Sequence, residues 1–298
     1  MNEPYNTLNH YWREKFGGIK VRKIAINAGF DCPNKDGTFS KIGCIFCDYY
    51  GSGPIKTFNL TIEEQIEFYM KNHKNCKYIA YYQAHTNTYA PAKILREKYS
   101  KIFKYKEIVG LYIGTRPDSI SKSAYNVLDE FNKKTYLGVE LGLQSVHEKS
   151  LKFLNRNHTY DDFLRAFFKL KELNIETIVH LIIGIPGEDK EDIFKTIEEM
   201  NRIKPDGIKF HLFHVLKGTP LYEMHLKEPF KLMEEDIYIN LMVDILRNLD
   251  KDIVIHRLTG ERDEELFYAP QWAKNKIKTI NQIRDIMIKN NYHQGYLS

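Results

Sequence analysis

Three of the four cysteines in this 298-residue chain fall within one short stretch: Cys32, Cys44 and Cys47, in Asp-Cys-Pro-Asn-Lys-Asp-Gly-Thr-Phe-Ser-Lys-Ile-Gly-Cys-Ile-Phe-Cys-Asp. A cubane iron–sulfur cluster is normally held by four thiolates, so three would bind it and leave one iron open to a ligand that is not protein. Gly37 and Gly43 within the interval would let the backbone fold around a compact inorganic object. Zinc is the competing chemistry. Its structural sites take four protein ligands, commonly as two Cys-x2-Cys pairs, and with one pair present Cys76 or a histidine would have to complete the set. Unligated structural cysteines are the third alternative. Cys76, alone in the sequence, is expected to be a buried structural thiol.

The elements that must position these thiols alternate in type. Short β-branched runs, read as strands, cover Val21 to Ala28, Tyr78 to Gln83, Ile108 to Gly114, Tyr136 to Leu143, Thr177 to Ile183 and Gly207 to Phe213. Helix-like segments lie between them at Thr61 to His73, Ala124 to Asn132, Tyr160 to Leu173 and Lys190 to Ile203, the third with apolar residues at Phe163, Leu164, Phe167, Phe168 and Leu170. Strand, helix, strand in strict succession means parallel strands with right-handed crossovers, in an open or a curled sheet. Polar residues follow nearly every strand, which suits a barrel rim where loops converge on one site. The expected fold class is α/β, a partial six-stranded barrel over residues 20–258, preceded by a lead segment (1–19). After Phe213 come a turn at Lys217 to Pro220, a helix near Glu234 to Leu249 and an apolar run, Ile253 to Leu258. A basic, largely helical extension (259–298) is expected to pack on the barrel.

Composition fits an ordinary globular chain, with 43% hydrophobic and 28% charged residues. No apolar run approaches the length needed to cross a bilayer, and no basic segment followed by an apolar one opens the chain, so a cytoplasmic protein without membrane contact is expected. A reducing compartment would keep the thiols free, and so few cysteines do not read as a disulfide framework. The net charge of +5 permits an acidic partner, and 20 tyrosines with 17 phenylalanines could stack bases or simply fill a core.

The motifs, taken in order, resemble a known family. Beside the loop beginning Cys32-Pro33-Asn34-Lys35-Asp36-Gly37-Thr38 stand Gln83-Ala84-His85-Thr86-Asn87-Thr88-Tyr89-Ala90-Pro91, Gly114-Thr115-Arg116-Pro117-Asp118 and Glu140-Leu141-Gly142-Leu143-Gln144-Ser145. Gly184-Ile185-Pro186-Gly187-Glu188, Lys217-Gly218-Thr219-Pro220 and Arg257-Leu258-Thr259-Gly260 complete the set. The chain resembles the radical S-adenosylmethionine (SAM) enzymes, and among them the YhcC/YtqA-like family related to the Elongator catalytic subunit. Two features depart from the wider superfamily. The common Cys-x3-Cys-x2-Cys has a longer first interval, as in this subgroup, and the Gln83 segment replaces the Gly-Gly-Glu motif. His85 stands where the subgroup leads one to expect tyrosine.

The resemblance implies a TIM-like partial (β/α)6 barrel and one [4Fe-4S] cluster on Cys32, Cys44 and Cys47. It further implies SAM on the open iron, cleaved reductively to a 5′-deoxyadenosyl radical by an electron from a flavodoxin or ferredoxin. SAM contacts are expected from Gln83, Thr115, Glu140, Gln144, Ser145, Arg156, Gly184 and Ile185. Arg156 is a candidate for the methionine carboxylate or, on residues alone, a plain surface arginine. Gln144 and Ser145 could reach SAM or be satisfied by backbone, and Gly184 and Ile185 could approach adenine or merely form a tight turn. His85, Asn87, Tyr89, Arg116, Asp118, His211, His214, Lys217 and Arg257 are substrate-side candidates, with caps, turns and core histidines as the plain alternatives. No general acid or base is identified. The subgroup implies tRNA as substrate, modified at the C5 side chain of the wobble uridine, with Arg257, Arg262 and the tail lysines on phosphates and a downstream enzyme as a further partner that completes the modification. The alternatives are a radical SAM enzyme acting on a small molecule or peptide and a zinc-containing RNA-binding module.

Overall fold

The computed structural model describes residues 3–260 and 262–298. Residues 1, 2 and 261, which belong to the expected lead segment and extension, lie outside the described residues. The elements in chain order are α1 (Leu8–Lys15), β1 (Val21–Ile26), α2 (Ile62–Asn72), β2 (Lys77–Tyr82), α3 (Ala92–Ser100), β3 (Ile108–Thr115), α4 (Lys122–Asn132), β4 (Tyr136–Gln144), α5 (Glu148–Phe153) and α6 (Tyr160–Glu172). They continue with β5 (Glu176–Ile183), α7 (Lys190–Ile203), β6 (Gly207–Leu212), β7 (Val215–Leu216), α8 (Pro220–Lys227), α9 (Glu235–Asn248), β8 (Val254–Arg257), β9 (Phe267–Ala269) and α10 (Lys276–Lys289).

Seven parallel strands form one curled half-barrel sheet in the order β1-β2-β3-β4-β5-β6-β8. The expectation of six strands is corrected by the run around Ile253, which pairs with β6 as a seventh. That strand is short and arrives only after β7, α8 and α9, so alternation alone did not mark it as part of the sheet. Helix starts follow sequence signals: Thr61 and Glu64 form a reciprocal capping box on α2, and Thr159 and Asp162 do the same on α6. Phe163, Phe167 and Leu170 of α6 and Val127, Leu128 and Phe131 of α4 are buried in one large core with the outward residues of the strands. Cys76 is half-buried at the margin of that core, which corrects the expectation of a buried thiol: it follows the α2 turn rather than entering a strand.

The concave face of the sheet is not apolar. Glu140, in the middle of β4, is fully enclosed and accepts from Lys23 of β1, from Lys209 Nζ of β6 at 2.9 Å and from His180 Nε2 of β5 at 2.6 Å. Lys209 Nζ also sits 4.6 Å above the Tyr81 ring, and Lys23 Nζ lies 3.4 Å from His256 Nδ1 of β8. A carboxylate buried this deeply is tolerable only because each oxygen meets a cation or ring N–H. Because its partners come from β1, β5 and β6, the same network draws distant strands toward the barrel axis.

Two outcomes test this brace. Glu140→Gln leaves two lysines without a counter-charge and should destabilise the fold by about 3–5 kcal/mol in urea unfolding. Burial pushes the Lys209 ammonium down to about 7; Glu140 opposes that shift and Arg257 and Lys23 add to it. The unfolded chain therefore holds a proton that the folded chain has shed from pH about 7 up to the free-lysine value of about 10.4, so stability gains a component that rises with pH across that window. Urea unfolding as a function of pH should show this component in the parent and not in Lys209→Met; identical pH slopes would contradict it.

Candidate active site

The cysteine loop leaves β1 and is pinned from several sides. The carbonyl of Cys32 accepts from the amides of Lys35 and Asp36 at 2.8 and 3.0 Å, and the Cys47 amide donates to the carbonyl of Cys44 at 3.0 Å. Ile45 between the last two thiols is buried with Leu154, Ile182, Ile185, Phe213 and Leu221, an apolar plug that fixes the loop over the carboxyl ends of the strands. Asn155 Nδ2 donates to the Gly43 carbonyl at 2.6 Å. At Gly43, with φ +79, a Cβ would stand 2.9 Å from the Lys35 side chain, so the turn requires glycine.

Cys32, Cys44 and Cys47 all face one cavity of about 180 Å³. Burial alone would raise the Cys44 thiol, but the guanidiniums of Arg156 and Arg116 outweigh it and hold the thiol below its usual value. Arg156 Nη1 donates to Cys44 Sγ at 3.3 Å and Asn34 Nδ2 does so at 3.3 Å, while Arg116 Nη1 lies 3.9 Å away. Burial, followed by the neighbouring charges of Cys44, Asp48 and Cys32, pushes Cys47 up to about 12. Cys44 is buried and Cys32 and Cys47 are partly so, and three such thiols, which repel one another as thiolates, fit a shared cationic centre. Among the described residues no three Cys, His, Asp or Glu side chains converge on a position for a single ion. Three thiols facing one cavity fit the three protein ligands of a cubane cluster whose fourth iron is left open.

Strands and the loops that follow them supply the rest of the wall. Gln83, Thr115, Glu140, Gln144 and Arg156 line the cavity, as do His85, Arg116, His211, His214 and Arg257. Gln144 closes β4 at a register shift against β5 and has φ +81, a costly conformation for a non-glycine residue of the kind that collects at functional sites. Gly142 makes room beside it, since a Cβ there would stand 2.9 Å from Gln144 Nε2 and 3.0 Å from Arg156 Nη2. Arg156 is no surface arginine: it is 6% exposed, and it donates to the Gly142 carbonyl at 2.6 Å and to His158 Nε2 at 3.1 Å. Burial and the charges of Arg156 and Arg116 push His158 down to about 3, which keeps its ring a neutral acceptor.

Other candidates lie elsewhere. Asn87 is a correction: buried between strands, its amide donates to the carbonyls of Tyr82, Ala84 and Gly114, so it locks the β2 and β3 ends together. Tyr89 lines an outer cleft with Phe39, Asp118 is bound to Arg116 at 2.7 Å, and Lys217 is exposed on the turn after β7. Ser145 donates to Glu188 Oε1 at 2.6 Å and so ties the loops after β4 and β5. Gly184, at φ +88, turns the chain against Met233, and the Ile185 side chain is part of the apolar plug. Arg262, expected to hold phosphate, is instead largely buried and paired with Asp48.

Sequence reasoning missed Lys209, His180 and Tyr81, which also line the cavity. The signal was available in Gly-Ile-Lys-Phe-His-Leu, where a lysine interrupts a strand otherwise destined for burial, and charges in such positions are seldom buried unpaired.

The Radical SAM superfamily pattern matches residues 34–200, and the Radical_SAM C-terminal domain matches residues 205–289. YtqA of Bacillus subtilis is 39% identical over 98% of this chain and 92% of its own length. A tRNA uridine(34) acetyltransferase of Methanocaldococcus jannaschii is 36% identical over 45% of this chain, a stretch that covers 25% of that protein. Among solved structures, Elp3 of Methanocaldococcus infernus superposes with a TM-score of 0.69 at 21% identity, over 92% of this chain and 64% of the Elp3 chain, and shares the fold. With the thiol cavity at the strand ends and these matches along nearly its whole length, the chain belongs to the radical SAM superfamily, in the group of YtqA and YhcC.

Proposed function

We propose that Cys32, Cys44 and Cys47 hold a [4Fe-4S] cluster, that SAM occupies the adjoining cavity, and that the substrate is tRNA, modified at the C5 side chain of the wobble uridine. The single observation that carries the first part is the convergence of three thiols with strand-end polar side chains on one cavity. When bound, the cluster and SAM supply a 5′-deoxyadenosyl radical by reductive cleavage.

The chain's own residues would do the positioning. Arg156 and Arg116 favour the thiolate form of Cys44. Gln144, at the end of β4, lines the cavity with an amide suited to the amino, carboxylate or ribose groups of SAM, while Thr115, at the end of β3, lines it with its hydroxyl held by that of Thr88 at 2.6 Å. Ile182, Phe213 and Leu216 provide apolar wall that excludes water from a reactive intermediate. His85, His211, His214 and Arg257 face the same space and are the substrate-side groups. Burial, with Arg257 and His180 nearby, keeps His211 well below the usual histidine value, and burial likewise lowers His214. Both rings are thus neutral hydrogen-bonding groups at pH 7. A soluble one-electron carrier, flavodoxin or ferredoxin, would reduce the cluster.

The tRNA part rests on the similarity to a protein named for acetylation of tRNA uridine 34. Only the shared quarter of that protein is carried over, so acetyl transfer is not assigned to this chain and a second enzyme would complete the modification. An unpaired anticodon base needs less unstacking to reach a strand-end cavity than a helical one.

Nucleoside mass spectrometry of tRNA from cells lacking the gene should show a wobble uridine with an incomplete C5 side chain, restored by the intact gene and not by a Cys32→Ala, Cys44→Ala, Cys47→Ala version. An unchanged nucleoside profile would move the reading to a small-molecule or peptide substrate. Gly142→Ala, by pushing Gln144 and Arg156 aside, should weaken SAM binding to the reconstituted protein by about tenfold or more in equilibrium titration. Parent-like affinity would remove both side chains from the SAM site.

A further inference from the structure

Asp48 directly follows the last cysteine of the loop and is 5% exposed. Its Oδ2 accepts from Arg262 Nε at 2.6 Å, and Arg262 Nη2 lies at the same distance from that oxygen. Arg262 Nη1 donates to the Gly53 carbonyl at 2.7 Å, and its guanidinium stands 5.8 Å from the Tyr50 ring. The Arg262 side chain is itself 10% exposed. On the other side, Lys35 Nζ donates to the Asp48 carbonyl at 2.9 Å. One buried ion pair thus clasps residues 48–53 of the cysteine loop to the segment that follows β8, across 214 positions of sequence.

The clasp also has a place between two spaces. Arg262 and Ser52 line the thiol cavity, and both of them, with Gly53, line a larger open groove of about 790 Å³ between α2 and the C-terminal segment. The groove and the cavity meet at the open edge of the sheet, where β1 and β8 are not hydrogen-bonded to each other. A guanidinium fixed by a carboxylate and a carbonyl at that junction forms part of the partition between solvent and the cysteines.

We propose that Arg262 is a positioning residue for the cysteine loop: by clasping Asp48 and Gly53 it fixes the Cys47 end of the loop and shields the metal site from the groove. The proposal rests on the reading of Cys32, Cys44 and Cys47 as cluster ligands. Arg262 reaches Asp48, the Gly53 carbonyl and the Tyr50 ring. Its effect passes through Asp48, in the manner of outer partners that orient metal ligands. A buried ion pair costs desolvation on both sides, so a placement beside the metal loop, rather than a gain in stability, accounts for its presence.

The test uses anaerobically reconstituted full-length protein with the variants Arg262→Gln, Arg262→Lys, Asp48→Asn and the double variant Asp48→Asn/Arg262→Gln. Loss of iron to a chelator, followed at the cluster absorbance, should be about tenfold to a hundredfold faster in Arg262→Gln and Asp48→Asn. The double variant should be no worse than either single one, because the two changes remove the same contact. Arg262→Lys should restore part of the protection, and the electron paramagnetic resonance spectrum of the reduced cluster should change in the glutamine and asparagine variants. Parent-like chelation and spectra in Arg262→Gln, or additive losses in the double variant, would overturn the proposal. So would a loss matched by an equal fall in the thermal stability of the cluster-free protein with an unchanged spectrum, since the pair would then serve the fold alone. If the parent itself forms no iron–sulfur cluster, the failure lies in the reading of the cysteines.

Discussion

The structure turns on a single buried carboxylate. Glu140 sits on the concave face of a sheet whose outer face is a continuous apolar core, and it answers to cations from strands far apart in sequence. Burial alone would raise its pKa, but Lys209, Lys23 and the ring of His180 overcome that and hold it well below the usual carboxylate range. An open parallel sheet has no intrinsic reason to bring its first and sixth strands near each other. Here a charge that cannot be left without partners supplies one, and curling follows, so that loops from different strands end around a common space.

Electrostatics in that space divide by depth. Toward the strand middles lie Lys23, Lys209 and Glu140 with His180, His211 and His256, and burial pushes all three rings toward the neutral form. Toward the strand ends, Arg116 and Arg156 stand against Cys44, with Asp118 and the carbonyls of Gly142 and Arg156 holding the guanidiniums in place. Fixed cations beside thiols favour a metal-ready thiolate, and fixed neutral rings offer hydrogen bonds without adding charge. The apolar plug around Ile45 joins these layers, because the residues that seat the cysteine loop also cap the ends of β5 and β6.

Much of this was legible in the residues. Alternation of β-branched and amphipathic runs located the first six strands and the main crossover helices, because period and capping are local properties. The thiol spacing pointed to an incomplete ligand set, Gln144 stood out by its position at a strand end, and Arg156 was marked by the family resemblance alone. What could not be read depends on the third dimension. Asn87 and Ser145 have side chains suited to ligands, yet their hydrogen bonds go to backbone or to a neighbouring loop. Arg262 reads as one more cation of a basic tail, and only the fold brings it to Asp48. Lys209 and His180 are strand partners in register, a relation invisible before the pairing of β5 with β6 is known.

The most direct test of the central claim is the metal content of anaerobically reconstituted protein, read together with its turnover of SAM. The account predicts about four irons and four sulfides per chain, a reducible cluster, and release of 5′-deoxyadenosine that disappears when Cys32, Cys44 and Cys47 are replaced by alanine. Zinc in place of iron, or 5′-deoxyadenosine release that survives the triple replacement, would contradict it.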